Sequence, residues 1–219
     1  MDCTLAASQT IADSKRAFHQ SFPHVIAPLY RRLADELLVE LHLLSHQTRF
    51  DANELFAVGL CTVFDTFTKG YRPETQTEGL FSAICSSNGF DAEDLRKTSA
   101  SLIDQAKGKD HDNLKSWLSS HRLQEGSHYS RLMAVGLMRL LQASVAEESS
   151  SDNAALIQQS KELAETLGLP LDRVEKELTL FGSNSERMDQ AVELVEETIA
   201  AEKRKKERRL ADQAQRSSN

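Results

Sequence analysis

Residues that interrupt helices are scarce in this chain. Its 219 residues include only four prolines and nine glycines, and most of these fall between segments in which apolar residues recur at helical spacing. Strand signals are nearly absent, because no run of alternating Val, Ile, Thr and aromatic residues lies between turn residues. The pattern predicts an all-α protein with a compact multi-helix core and a long, projecting C-terminal helix.

Seven helices are predicted in the first two thirds of the chain. The first starts at Asp13 or Ser14 and ends at His19. The others cover residues 28–46, 51–69, 78–87, 92–107, a short segment around Trp117, and 130–148. Asp51 and Glu54 stand three apart, as in a capping box, and are taken as the start of the third helix. The seventh is apolar on nearly every face apart from Arg131 and Arg139, which is typical of a central buried helix.

The serine-rich stretch SSSD has the most linker-like composition in the chain and divides it into two parts. The predicted order is a disordered N-terminus (1–13), a helical core (14–148), a linker (149–152), two short helices packed on the core (153–184), a long C-terminal helix (185–214) and a disordered tail (215–219).

The last predicted helix changes character midway. Its apolar stripe is formed by Met188, Val192, Val195 and Ile199, spaced by four, three and four residues. Continuing the same spacing leads to Glu202, Lys206 and Arg209, so the stripe ends while helix-forming residues continue. We therefore expect the end of the chain to project into solvent as a charged rod, in an element roughly 40 Å long at about 1.5 Å per residue.

The strongest electrostatic feature is the run KRKKERR, which follows an acidic stretch. Its cations are Lys203, Arg204, Lys205, Lys206, Arg208 and Arg209. One interpretation is a solvated helix face, and the other is an arm that docks on an anionic lipid surface or an acidic partner. Nucleic acid is not a predicted partner, because no aromatic residue that could stack on a base follows Phe181.

Two histidines four apart, in the sequence HLLSH, raise the question of a metal site. His42 and His46 share a helix face with Asp35, so the three could in principle meet one ion. A metalloprotease motif needs a glutamate after the first histidine, where Leu43 stands. We predict no metal, no cofactor and no enzymatic activity, with a metal-dependent enzyme using these three residues as one alternative.

A second alternative is a lipid- or pigment-binding protein with an apolar cavity beside Phe64, Phe67 and Trp117, although aromatic residues at helical spacing usually fill cores. The turn at Tyr71 and Arg72 is a second candidate contact for a partner. The other interpretation of this turn is that both side chains lock the geometry that Pro73 fixes.

Net charge, hydropathy and cysteine content restrict the predicted location of the protein. The net charge is −7, and no stretch approaches the roughly 20 apolar residues of a membrane span. Cys3, Cys61 and Cys85 form an odd set without metal-ligand spacing, which predicts reduced thiols. The first residues lack the features of a secretory signal or a transit peptide, so we expect a cytoplasmic protein or one that is already processed.

Six segments together resemble one family, the thylakoid formation proteins, also called photosystem II biogenesis proteins. They are DSKRAF, LYRRLADELLVELHLLS, FAVGLCTVFDTFTKGYRPE, GLFSAIC, YSRLMAVGLMRLL and DRVEKELTLFGSNSERMDQAVEL, and they cover most of residues 14–195 in the family's order. A histidine like His42 is usual in the family pattern, whereas one at the place of His46 is not required.

The resemblance implies a non-enzymatic auxiliary protein that is peripheral to the thylakoid membrane on its cytoplasmic side, without a transmembrane span. It implies a role in thylakoid biogenesis and in the assembly and repair of photosystem II. The implied partners are FtsH-type protease complexes of the thylakoid, with photosystem II assembly intermediates as further partners, and the implied source is a cyanobacterium.

Overall fold

A computed structural model describes residues 9–145 and 153–217, with side chains up to residue 210, and within these ranges it contains nine α-helices and no β-strand. The all-α class predicted from the sequence is confirmed. The helices are α1 (Ile11–Ser21), α2 (Pro28–Ser45), α3 (Glu54–Phe67), α4 (Thr77–Ser86), α5 (Ala92–Ala106), α6 (His111–Leu118), α7 (Arg131–Ser144), α8 (Asn153–Leu167) and α9 (Leu171–Ser217). Single 3₁₀ turns precede α4 and follow α6.

The first helix starts earlier than predicted because it has a complete cap. Thr10 and Asp13 form a capping box, in which the Thr10 backbone N–H donates to Asp13 Oδ2 at 3.0 Å. Residues from Ile11 to Asp13, predicted to belong to a disordered N-terminus, are therefore helical. Residues 1–8 of that predicted segment lie outside the described ranges.

The cap of α3 differs from the predicted one. Asn53 is the capping residue, and its Oδ1 accepts a hydrogen bond from the backbone N–H of Phe56 at 3.0 Å. The capping box predicted from Asp51 and Glu54 is wrong, because Glu54 is the first residue of the helix rather than the third.

Helices α3 and α7 form the centre of the core. Every residue from Leu55 to Cys61 and from Leu132 to Met138 is buried, as the apolar composition of α7 predicts. Cys61 and Cys85 are buried free thiols, whereas Cys3 lies outside the described residues.

The two central helices touch backbone to backbone at a pair of glycines. A Cβ atom on Gly59 would lie 1.7 Å from the carbonyl oxygen of Leu132, and one on Gly136 would lie 2.1 Å from the carbonyl oxygen of Leu55. No side chain fits at either position, so glycine is what allows the helices to approach this closely.

An aromatic pair and an arginine join α3, α4 and α5. The rings of Phe64 and Phe81 lie with their centroids 4.8 Å apart, and the guanidinium of Arg96 lies 4.2 Å from the Phe81 centroid. Arg96 also forms ion pairs with Asp65 at 2.8 Å and with Glu78 at 2.9 Å. The guanidinium thus covers an apolar ring and keeps its charge compensated.

The first turns of α9 contact Tyr129, which lies two residues before the start of α7. The Tyr129 hydroxyl donates a hydrogen bond to Glu177, and the Arg173 guanidinium lies 4.8 Å from the Tyr129 ring centroid. Burial, followed by the Glu177 carboxylate, raises the pKa of Tyr129 above its ordinary value. Val174 and Leu178 are fully buried on the same stretch, so α9 begins as a core helix.

Helix α9 is continuous where the sequence predicts two helices, one ending at Phe181 and the next starting at Ser185. The prediction of a break is wrong because a single glycine costs a helix only about 1 kcal/mol and no proline is present. Gly182 has a packing role instead, since a Cβ atom there would lie 2.5 Å from Asn153 Nδ2. The predicted linker at 149–152 lies outside the described residues.

The chain divides into two compact units, Met1–Gly182 and Ser183–Asn219. The first contains α1 to α8 and the first turns of α9, and the second contains the rest of α9. The tail predicted to be disordered at 215–219 is helical to Ser217, and residues 218–219 lie outside the described ranges.

Candidate interaction site

The second unit presents a helix whose side chains are exposed on all sides. Every residue from Glu193 to Leu210 is exposed. Alanine, glutamate, lysine and arginine dominate this stretch, and all four are strong helix formers. Glu202 and Lys205 form an ion pair at 3.9 Å along the helix, which adds local support. The helix therefore persists without burying its side chains.

The basic segment, residues 203–209, occupies two turns of this exposed helix. Its members are Lys203, Arg204, Lys205, Lys206, Arg208 and Arg209, and all six are exposed. Seven consecutive residues pass around the whole circumference at 3.6 residues per turn, so the cations point in every direction. Such a segment presents positive charge to an acidic surface regardless of how the helix is rotated about its axis.

The second predicted contact, the turn at Tyr71 and Arg72, is divided between core and surface. Tyr71 is only 3% exposed, and its ring meets that of Tyr30 edge to face, at 67° with centroids 5.0 Å apart. Arg72 is exposed. The burial of Tyr71 favours the interpretation that it locks the turn, whereas the Arg72 side chain lies at the surface.

His42, in the last turn of α2, and His46, which caps that helix, each form a hydrogen bond through Nδ1 to another group of the protein. His42 Nδ1 and Ser14 Oγ share a hydrogen bond at 3.0 Å, and His46 Nδ1 donates to the His42 carbonyl oxygen at 2.8 Å. The two rings lie with their centroids 4.4 Å apart. Asp35 is exposed and lines a different feature, a groove of about 410 Å³ beside Arg31. The structure thus joins the histidines to α1 rather than to Asp35.

His42 makes stability depend on pH. Burial, followed by the neighbouring His46, lowers the pKa of His42 from its ordinary value of 6.5. The neutral ring is favoured in the folded state, so its contribution is complete above pH 6.5 and is lost as the pH falls through the lowered pKa. We expect the free energy of unfolding, measured by urea titration, to fall less between pH 7.5 and 5 in His42→Gln than in the natural chain.

The matched control for this prediction is His111→Gln, which replaces an exposed histidine at the start of α6. The control is expected to retain the pH dependence of the natural chain. Equal pH dependence in the natural chain and in His42→Gln would contradict the assignment.

The three aromatic residues proposed to line a cavity have separate neighbours. The Phe64 ring lies 4.8 Å from that of Phe81, the ring of Phe67 lies 5.8 Å from that of Phe181, and that of Trp117 lies 4.8 Å from His121, all measured between ring centroids. A cleft of about 490 Å³ beside α6, α7 and α8 contains none of the three in its lining. Among the residues with described coordinates, no group of three metal-ligating side chains is found.

Comparison with known proteins identifies the family. The sequence model of the thylakoid formation protein matches residues 10–210. The chain belongs to the thylakoid formation protein family. This confirms the resemblance that the six sequence segments indicated, and it gives the chain a place among proteins named for thylakoid formation rather than for a catalysed reaction.

Relatives of the thylakoid formation family match over nearly the whole chain. The protein Thf1 of Synechococcus sp. strain CC9605 is 80% identical over 98% of this chain and 100% of its own length. Thf1 of Prochlorococcus marinus strain MIT 9313 is 50% identical over 91% of this chain and 88% of its own. A solved structure of Psb29 is 33% identical, covers 90% of this chain and 98% of that one, and superposes with a TM-score of 0.79.

None of the described helices combines the length and the apolar character that crossing a bilayer requires. The basic segment is exposed along its whole length. Sequence analysis found that segment, but it missed that Val195 and Ile199 beside it are 44% and 58% exposed.

Proposed function

We propose that the chain is a non-enzymatic auxiliary protein in thylakoid membrane biogenesis and in the assembly and repair of photosystem II. It acts as an interaction partner that supports FtsH-type membrane protease complexes, with photosystem II assembly intermediates as further partners. Family membership supports the setting. The single observation that supports an interaction role is the helix exposed from Glu193 to Leu210, which carries the basic segment.

The chemistry of the contact follows from the charges. Six cations within seven residues attract an acidic protein surface or the anionic face of a bilayer, and each cation near such a membrane contributes about 1 kcal/mol. The rest of the chain is acidic, since the whole molecule has a net charge of −7. The core is therefore repelled by the surface that attracts the segment, so the chain contacts the cytoplasmic side of the thylakoid membrane peripherally, through α9.

The test is affinity purification of the tagged chain from solubilised thylakoids, beside a version that ends at Ile199. Protease subunits are expected with the full-length chain and not with the shortened one. The first unit ends at Gly182, so the truncation leaves its helices intact, and circular dichroism checks this. Equal recovery with both chains would move the contact away from the basic segment.

A charge variant separates the role of the cations from the role of the helix. Replacing the six cations of the basic segment with glutamine keeps good helix formers but removes the charge. We expect recovery of protease subunits to fall at least about tenfold, given the contribution of each cation. The matched control exchanges every lysine in the segment for arginine and every arginine for lysine. It is expected to retain recovery, and a loss of recovery in this control would contradict a role for charge alone.

A further inference from the structure

Apolar side chains are exposed along the second unit in a way that a solitary helix does not require. Leu194, Val195, Ile199 and Leu210 are 64%, 44%, 58% and 56% exposed. Val195, Ile199 and Leu210 lie within a narrow arc of the helical wheel at 100° per residue, because they are separated by four and eleven residues. Three apolar residues on one face of an exposed helix are typical of a surface that packs against another helix.

The charges of the same helix are separated into two blocks. Residues 186–202, the acidic block, carry six carboxylates and one arginine. Residues 203–210, the basic block, carry six cations and one glutamate. The sign of the charge therefore reverses between Glu202 and Lys203. A helix with this pattern attracts an antiparallel copy of itself and repels a parallel one, because only the antiparallel arrangement sets each block against the opposite charge.

We propose that the helix from Glu186 to Leu210 pairs with the same helix of a second copy of this chain, in antiparallel orientation. The twofold axis lies near Glu202 and Lys203, where the charge reverses. Around that axis Val195 of one copy lies opposite Leu210 of the other, and Ile199 packs on the aliphatic stem of Lys206. The interface is isologous and closes at two copies, so it forms a dimer rather than a filament.

The dimer is independent of the proposed partner, because it rests on this chain's own charges and exposed apolar residues. It nevertheless uses the basic block that the proposed protease contact also uses. Self-association and partner binding therefore compete for one surface. The two can be tested apart, since the dimer is measured with the purified chain alone.

Sedimentation equilibrium of the purified full-length chain tests the association. We expect the mass to approach twice 24.5 kDa as concentration rises through roughly 1 to 200 µM. The dissociation constant of the dimer is expected to rise about tenfold between low salt and roughly 0.5 M salt, because exposed charges are screened. Ile199→Asp is expected to remain a monomer. A monomeric natural chain across this range at low salt would overturn the proposal.

A pair of charge-reversed variants gives a second test of the dimer, which remains informative if Ile199→Asp loses solubility. One variant replaces the six carboxylates of the acidic block with lysine, and the other replaces the six cations of the basic block with glutamate. Each is expected to be monomeric alone, because all but one of the charges on its helix then have the same sign. An equimolar mixture is expected to form a heterodimer. Failure of the mixture to associate would contradict pairing through this helix.

Disulfide cross-linking determines the orientation. In a Cys3→Ser background, burial raises the pKa of Cys85 to about 12 and raises that of Cys61, so neither core thiol competes. Glu202→Cys lies near the proposed axis and is expected to cross-link to itself. Ala191→Cys lies far from the axis and is expected not to. Cross-linking at both positions would indicate a parallel pair and overturn the antiparallel arrangement.

Discussion

Replacing Gly59 with alanine is expected to lower the free energy of unfolding by more than about 4 kcal/mol, or to prevent folding. The new Cβ atom would lie 1.7 Å from the Leu132 carbonyl oxygen, and this neighbour is backbone that cannot rotate away. To accept the methyl group, α3 and α7 would have to separate along a fully buried interface. Urea titration followed by circular dichroism measures the loss.

The matched control is Gly79→Ala on α4, another glycine in a helix. Its Cβ atom would meet only the Phe22 ring at 3.8 Å, an ordinary contact distance. Alanine is a better helix former than glycine by up to about 1 kcal/mol, so this variant is expected to be as stable as the natural chain or slightly more stable. A comparable, small effect at both glycines would contradict the close contact between α3 and α7.

The helices themselves were predictable because each depends on local spacing. Leucines at helical intervals predict α2, and a nearly uninterrupted apolar composition predicts the burial of α7. Helix ends were less predictable, since Asn53 and Asp51 are both good capping residues and only the path of the chain decides between them. The same limit applies to α9, because nothing in the sequence around Gly182 indicates whether this glycine ends a helix or permits a close packing contact.

Contacts between distant segments could not be predicted. Gly59 and Gly136 are separated by 76 intervening residues, and nothing near either one indicates that it meets the other. Pairing helices requires a choice among many arrangements of similar apolar faces, and the backbone approach that selects this one appears only after folding. The ion pairs of Arg96 with Asp65 and Glu78 also join residues on different helices, and the sequence near each residue does not predict its partner.

The charge of the candidate site could be predicted from the sequence, but what packs beside it could not. The basic segment is evident in the sequence, because six cations within seven residues are rare. The stripe that includes Val195 and Ile199 indicates packing, but both residues are exposed in the structure. Sequence gives the apolar face of a helix, whereas the identity of what covers it depends on the partner.

Replacing Phe64 with alanine is expected to lower the free energy of unfolding by about 3–5 kcal/mol. The ring is fully buried, contacts the tilted Phe81 ring with centroids 4.8 Å apart, and lies 5.6 Å from the Arg96 guanidinium. Its removal leaves a cavity between α3 and α4 that the glycine-fixed contact of α3 with α7 prevents from collapsing. Thermal and urea unfolding of the purified protein measure the loss.

The control is Phe67→Ala, one turn further along α3, where the ring is only partly buried and meets Phe181 at 5.8 Å. Its loss is expected to be no more than about half as large, because less apolar surface is exposed to water by the truncation. Comparing Phe64→Ala with Phe67→Ala distinguishes a packed core from a ligand-binding cavity. A cavity wall already faces empty space, so a loss under about 1 kcal/mol at Phe64 would contradict core packing and favour the lipid- or pigment-binding alternative.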